Sequence, residues 1–300
     1  MDFDACFFCG EPIDGKTSRE HIFSDKFLEY LGLKQEKVTS SLPRSTSYSK
    51  VKVPAHSSCN SGRGSEFEAY ILRLIKSMDA NLAHLSAIHT AFGEPLNESL
   101  RHAFTQWLAK LYYGLLYWEA GLETHVDPDY QRWLGSLLAE PEFAYLRKCF
   151  VDQLAFKIPS SLFHFHVPDP PEPAFRFDFG NGLPHGLFYV RFRNHLLVTA
   201  LADANLVHQW LNEEHVSSLQ LSITQLSAQD PAEYLHAVAH IWAIRELLPV
   251  APRLEYQDRD ILDRSREGYS QCPAIDSEAV NSRAAELFQK LVAKWKGTAA

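Results

Sequence analysis

Two pairs of potential metal ligands with the same two-residue spacer bracket the first sixty residues: Cys6-Phe-Phe-Cys9 and His56-Ser-Ser-Cys59. A lone Cys-x2-Cys is shared with redox motifs. Two such pairs supply four soft or borderline donors, the number that a tetrahedral structural Zn2+ takes. Gly10, directly after the first pair, lets the chain turn so that backbone amides can face the sulfurs. Cys6, Cys9, His56 and Cys59 are therefore expected to hold zinc; the alternative leaves His56 as a free surface residue and completes the set from elsewhere. The segment between the pairs is short and polar, so metal binding is expected to supply much of its folding free energy.

The remaining cysteines fit that reading. Five in all, at 6, 9, 59, 149 and 272, is an odd and uneven set. It argues against a disulfide scaffold and for a reduced, cytoplasmic protein in which Cys149 and Cys272 are buried apolar residues. The opening "MDFDACFFCG" has neither the basic nor the apolar part of a secretory signal. No apolar run approaches the roughly 18–20 residues that span a bilayer, so no membrane partner is expected.

A net charge of −8 speaks against a general nucleic-acid binder, but the charge is not evenly spread. Residues 1–65 carry nine Lys/Arg against eight Asp/Glu, and the remainder 20 against 29. Within 37–65, Lys37, Arg44, Lys50, Lys52 and Arg63 stand with no carboxylate at all. Such a patch attracts phosphate, while an acidic body limits indiscriminate binding; a solvated loop without acids is the plainer alternative.

Hydrophobic periodicity divides the rest. After Ser65, Phe67, Tyr70, Ile71, Leu74, Ile75, Met78, Leu82 and Leu85 recur at helical spacing. Leu100, Phe104, Trp107, Leu108, Leu111, Leu115 and Trp118 make a second helix, and one from Pro128 ends or restarts at Pro141. "SLFHFHV", "AFRFDFG" and "GLFYVRFRNHLLVTAL" alternate and read as strands. Helix is expected again from Asp230 and over 278–296, with loop at 250–276. The expected fold class is α+β: a small zinc-bound module over 1–66, then a larger domain over 67–300. That domain would hold helices in 67–150, antiparallel strands in 160–205 and helices in 206–300, and serve substrate or partner recognition.

Between the ligand pairs lies "SREHIFSDKFLEYLG". Glu20-His21-Ile22 ahead of an amphipathic helix, with Cys6/Cys9 before it and Cys59-Asn60 after it, resembles the zinc-stapled members of the HNH (His-Me finger, ββα-metal) endonucleases. The resemblance covers residues 6–70. It implies metal-dependent hydrolysis of DNA phosphodiester bonds leaving 5′-phosphate ends, in a bacterial restriction or phage-defence setting. His21 would be the general base, since a neutral imidazole suits proton abstraction from water. Glu20 and Asn60 would offer oxygen ligands to a catalytic Mg2+ or Mn2+, and Arg63, Lys52 and Lys50 would hold flanking phosphates. The family's middle asparagine has no counterpart in "SYSKVKVPA", so the Ser49 hydroxyl or a backbone carbonyl would orient His21. The competing expectation is a catalytically degenerate module, contacting nucleic acid or scaffolding a larger complex such as a CRISPR-type effector, with protein partners docked on the acidic body. Elsewhere, His236/His240 and His164/His166 have metal-compatible spacing but read more simply as packed histidines. The aromatics Trp107, Tyr112, Tyr113, Tyr117 and Trp118 read as core rather than as a base-stacking platform.

Overall fold

A computed structural model describes residues 5–13, 18–39, 45–80, 98–122, 128–152, 160–168, 175–180, 186–227, 229–248 and 274–298. The chain forms two compact units, one from residues 1–80 and 102–156 and the other from 81–101 and 157–300. Helix and antiparallel sheet are both present, so the α+β expectation stands.

In the first unit, β1 (Ser18–His21) pairs antiparallel with β4 (Lys52–Ala55), and β2 (Lys37–Thr39) with β3 (Ser45–Ser47). Helix α1 (Asp25–Leu31) starts where the Ser24 hydroxyl accepts from the Phe27 amide, and ends where Gly32 takes φ +72°. A helical turn α2 (Ser57–Cys59) passes through a wide turn over Asn60–Gly64 into α3 (Ser65–Ala80). Then come α4 (Glu98–Ala120), which belongs to this unit from His102, α5 (Pro128–Leu138) and α6 (Pro141–Asp152).

A two-stranded sheet is marginal by itself, and the knuckle shows what supports this one. Phe7 and Phe8, between the first two cysteines, are each 1 % exposed. The Phe7 ring packs 5.5 Å from Phe143 and 5.8 Å from Tyr117, and Phe8 packs 5.0 Å from Phe150. Burying each ring is worth roughly 1.5–3 kcal/mol. The first segment thus borrows its core from α4 and α6 rather than depending on metal alone. Trp107, Tyr112, Tyr113 and Tyr117 are buried, as expected of core. On α3 the buried side is Ile71, Leu72, Ile75 and Met78, while Tyr70 is exposed; Leu82 and Leu85 lie outside the described residues.

The second unit carries a four-stranded antiparallel sheet in the order β5 (Ser161–His166), β8 (His195–Ala200), β7 (Leu187–Phe192), β6 (Phe175–Phe179). Strands β7 and β8 are buried at every position, so the alternation expected of half-buried strands gives way to burial on both faces. Helices α7 (Leu206–Trp210), α8 (Glu213–Leu226), α9 (Leu235–Leu247) and α10 (Ser277–Thr298) complete it. Leu196, Val198, Val238, Ile241, Trp242 and Leu291 share one apolar cluster. Asp203 ties the unit locally, accepting from the Ser161 amide at 2.7 Å, the Ser161 hydroxyl at 2.6 Å and the Asn205 and Val207 amides. The loop expected at 250–276 falls mostly outside the described residues, and so does Cys272. Among the described residues, no helix is long and apolar enough to cross a membrane.

Candidate metal centre and the adjoining basic face

The four spaced ligands converge: the donor atoms of Cys6, Cys9, His56 and Cys59 all lie within 4.8 Å of one another. They are the one such group among the described residues. The hairpin turn brings them together. Gly10 adopts φ +80°, its amide donates to the Cys6 carbonyl at 2.8 Å, and the His56 amide donates to the Cys6 sulfur at 3.4 Å. Burial pulls the Cys6 thiol up, but the His56, Cys9 and Phe8 amides outweigh it and bring it below its ordinary value. Cys59 is pushed up to about 12, by burial and then by the neighbouring Cys6 and Cys9. A divalent cation is what makes three such sulfurs ionise together.

The ring of His56 is aimed for ligation. Its Nε2 lies 3.1 Å from the Pro12 carbonyl, and its Nδ1 faces Cys9 Sγ at 3.3 Å. A proton on Nε2, donated to that carbonyl, leaves Nδ1 free to coordinate. Arg147 backs the knuckle: its Nε donates to the Phe7 carbonyl at 3.0 Å, and its guanidinium lies 4.1 Å from the Phe143 ring centroid. A Cys3His group of this kind fits a metal such as zinc, and Arg147 offsets part of the thiolate charge.

The β1–β4 register sets the base candidate against residues far along the chain. His21 pairs with Lys52, Glu20 with Val53 and Arg19 with Pro54. Opposed residues in an antiparallel ladder share a face, and successive residues alternate. Arg19, His21 and Lys52 therefore share one face, on which Arg19 is exposed and His21 and Lys52 half-buried. Lys50 is exposed in the turn Tyr48–Lys50 just before β4. The side chain of Arg63 lies outside the described residues. Burial lowers the His21 pKa below its ordinary value, with Lys52 and Lys110 adding to the shift and Asp25 and Glu20 opposing it. The imidazole Nε2 lies 3.7 Å from Asp25 Oδ1.

Glu20 points the other way. It is 4 % exposed, and its Oε1 accepts from Lys110 Nζ at 2.6 Å. Lys110 is fully buried on α4 and also donates to Glu68 on α3 and to the His21 carbonyl at 3.3 Å. Burial alone depresses a lysine, but the two carboxylates outweigh it and hold the ammonium charged above its ordinary range. Burial pushes Glu68 up to about 7, against the pull of Lys110. Asn60 is held through its amide nitrogen, which donates to the Ser18 hydroxyl at 2.9 Å and the Arg19 carbonyl at 3.3 Å.

The fold thus brings the four Cys/His ligands of the metal-compatible group together, and sets His21 opposite Lys52. Of the two residues expected to hold Mg2+ or Mn2+, Glu20 has an oxygen committed to Lys110, and Asn60 is held through its amide nitrogen. Ser49, expected to orient His21, donates to the Lys34 carbonyl at 3.3 Å. Gly64, next to Arg63 in the chain, is buried against the Phe8 ring. The other histidines pack: His164 Nε2 meets His195 Nδ1 at 3.1 Å, and His236 stacks on Phe288 and pairs with Glu233 at 2.8 Å.

Sequence reading missed Arg19, Asp25, Lys110, Glu68 and Arg147. Arg19 was legible by strand period, two residues before His21. Lys110 and Glu68 interrupt the buried stripes of α4 and α3, and a charge on such a stripe signals a buried partner. Comparison with protein-family models, with curated proteins and with solved structures finds no match for this chain.

Proposed function

We propose that this chain is an HNH-type nuclease that hydrolyses phosphodiester bonds of nucleic acid, DNA foremost, with His21 as general base. One observation carries the reading: a histidine held toward its neutral form sits on an open basic face, between Arg19 and opposite Lys52, on a hairpin anchored by the Cys3His group. In the step, a water oxygen bonds to phosphorus, its proton passes to the His21 imidazole, and the P–O3′ bond breaks. The 3′ oxygen takes a proton from solvent and the 5′ side keeps the phosphate. Arg19 and Lys52 meet the phosphate charge, and Lys50, together with Arg63 in the role the family resemblance gives it, extends that contact along the backbone. Zinc in the Cys3His group supplies the rigidity that fixes β1 against β4. A restriction or phage-defence role accords with such an activity.

The engagement of Glu20 by Lys110 and of Asn60 by Ser18 favours a second reading, in which the module contacts nucleic acid without cutting it. Nicking of supercoiled plasmid, measured with Mg2+, with Mn2+ and in chelator that spares zinc, separates the two. Under the nuclease reading His21→Ala abolishes nicking and leaves zinc content and DNA binding unchanged. DNA binding with no nicking under any of the three conditions establishes the second.

A further inference from the structure

Beneath the basic face lies a charged cluster that neither function uses. Lys110 has no exposed surface, and the three hydrogens of its ammonium match its three acceptors: Glu20 Oε1, Glu68 and the His21 carbonyl. These acceptors come from β1 and α3, so the one cation links three elements of the first unit. A buried lysine with paired carboxylates keeps its charge only because it is paired; an unpaired one would neutralise. The carboxylate is committed for the same reason, since freeing Glu20 would strand the ammonium beside Glu68 alone. Gly114, one helical turn further along α4, permits the approach: a Cβ there would lie 2.4 Å from Ile22 Cδ1. The close packing of α4 on the end of β1 is what delivers Lys110 to the His21 carbonyl.

We propose that Lys110 is the positioning residue of this site: its buried ammonium claims Glu20, so that the carboxylate anchors β1 and presents His21 while taking no divalent cation. The proposal rests on the reading of His21 as the reactive group, and assigns to Glu20 a role different from the ligand role that the family resemblance implies. Lys110 touches no substrate; it acts through the His21 backbone.

The test follows the His21 ring signals of the full-length, zinc-loaded protein by NMR as Mn2+ is added, with no nucleic acid present. Wild type is expected to show no saturable broadening of His21, and Glu20→Gln no change in that response. Lys110→Met, which leaves two carboxylates without their cation, is expected to create Mn2+ broadening at His21 that a further Glu20→Gln removes. Saturable broadening in wild type that Glu20→Gln abolishes overturns the proposal. Broadening that survives Glu20→Gln places an ion on other ligands and keeps Glu20 with Lys110. If Lys110→Met does not fold, the wild-type and Glu20→Gln arms decide the matter. A protein that cleaves no substrate still gives this readout, so failure of the nuclease reading and failure of this one are told apart.

Discussion

The two units solve the same problem, burying polar groups, in opposite ways. In the second, Asp203 gathers amides and a hydroxyl from nearby turns, and buried polar residues such as His164, Arg191, His195 and Thr199 are spread through a four-stranded sheet with a large apolar cluster on it. In the first, the two-stranded β1–β4 sheet has too little surface to hold itself. Phe7 and Phe8 packed on the helices support it, and the four Cys/His ligands and a lysine with two carboxylates flank it. Polar clusters are costly supports unless every group is satisfied.

Removing zinc should break this contrast most visibly. Structural zinc in small modules is worth on the order of 10–16 kcal/mol. Chelation, or Cys59→Ser, is expected to erase hydrogen-exchange protection of the β1 and β4 amides while the β5–β8 amides keep theirs. Equal loss in both sheets would refute the claim that metal supports the first unit selectively. Stranding a buried charge comes next. Lys110→Met should cost about 3–5 kcal/mol in denaturant unfolding, beside about 2–5 kcal/mol for Leu197→Ala, a plain cavity in the second unit. A double-mutant cycle of Lys110→Met with Glu20→Gln sharpens the point: strong coupling is expected there and none between Lys110→Met and Leu197→Ala.

His21→Ala should separate activity from stability. Nicking is expected to fall by roughly 10²–10⁴-fold, with unfolding free energy moved by no more than about 0.5 kcal/mol. The pH sign follows from the lowered His21 pKa. The unfolded chain binds the proton more readily, so the contribution of the neutral ring is present above pH 6.5 and is lost as pH falls below it. The acid limb of the nicking profile should accordingly lie below 6.5; a limb above it would exclude His21 as the base. The smallest effect is expected at Lys52→Ala, which should lower the salt slope of DNA binding by about 1 with little change in fold.

Residue spacing alone determined the metal group. Cys6, Cys9, His56 and Cys59 were legible because x2 spacing is a local property, and a turn suffices to bring each pair to bear. Helix and strand placement was legible for a similar reason, since periodicity reports which face is buried. The break between Leu138 and Pro141 follows it closely, and the strands at 161–166, 187–192 and 195–200 lie where expected, although burial on both faces replaces the expected alternation in the last two. Partnership across long stretches of chain was not legible. Nothing in "EHI" tells that Glu20 turns inward to a lysine ninety residues later, or that Phe7 and Phe8 draw their core from Tyr117, Phe143 and Phe150. Strand alternation puts Glu20 and His21 on opposite faces, but only packing decides which face meets solvent. The sequence by itself therefore named the four residues of the metal-compatible group. Tertiary structure decided what Glu20 and Asn60 are free to do, because a carboxylate or amide has the same donor chemistry wherever it lies and takes its role from the groups packed against it.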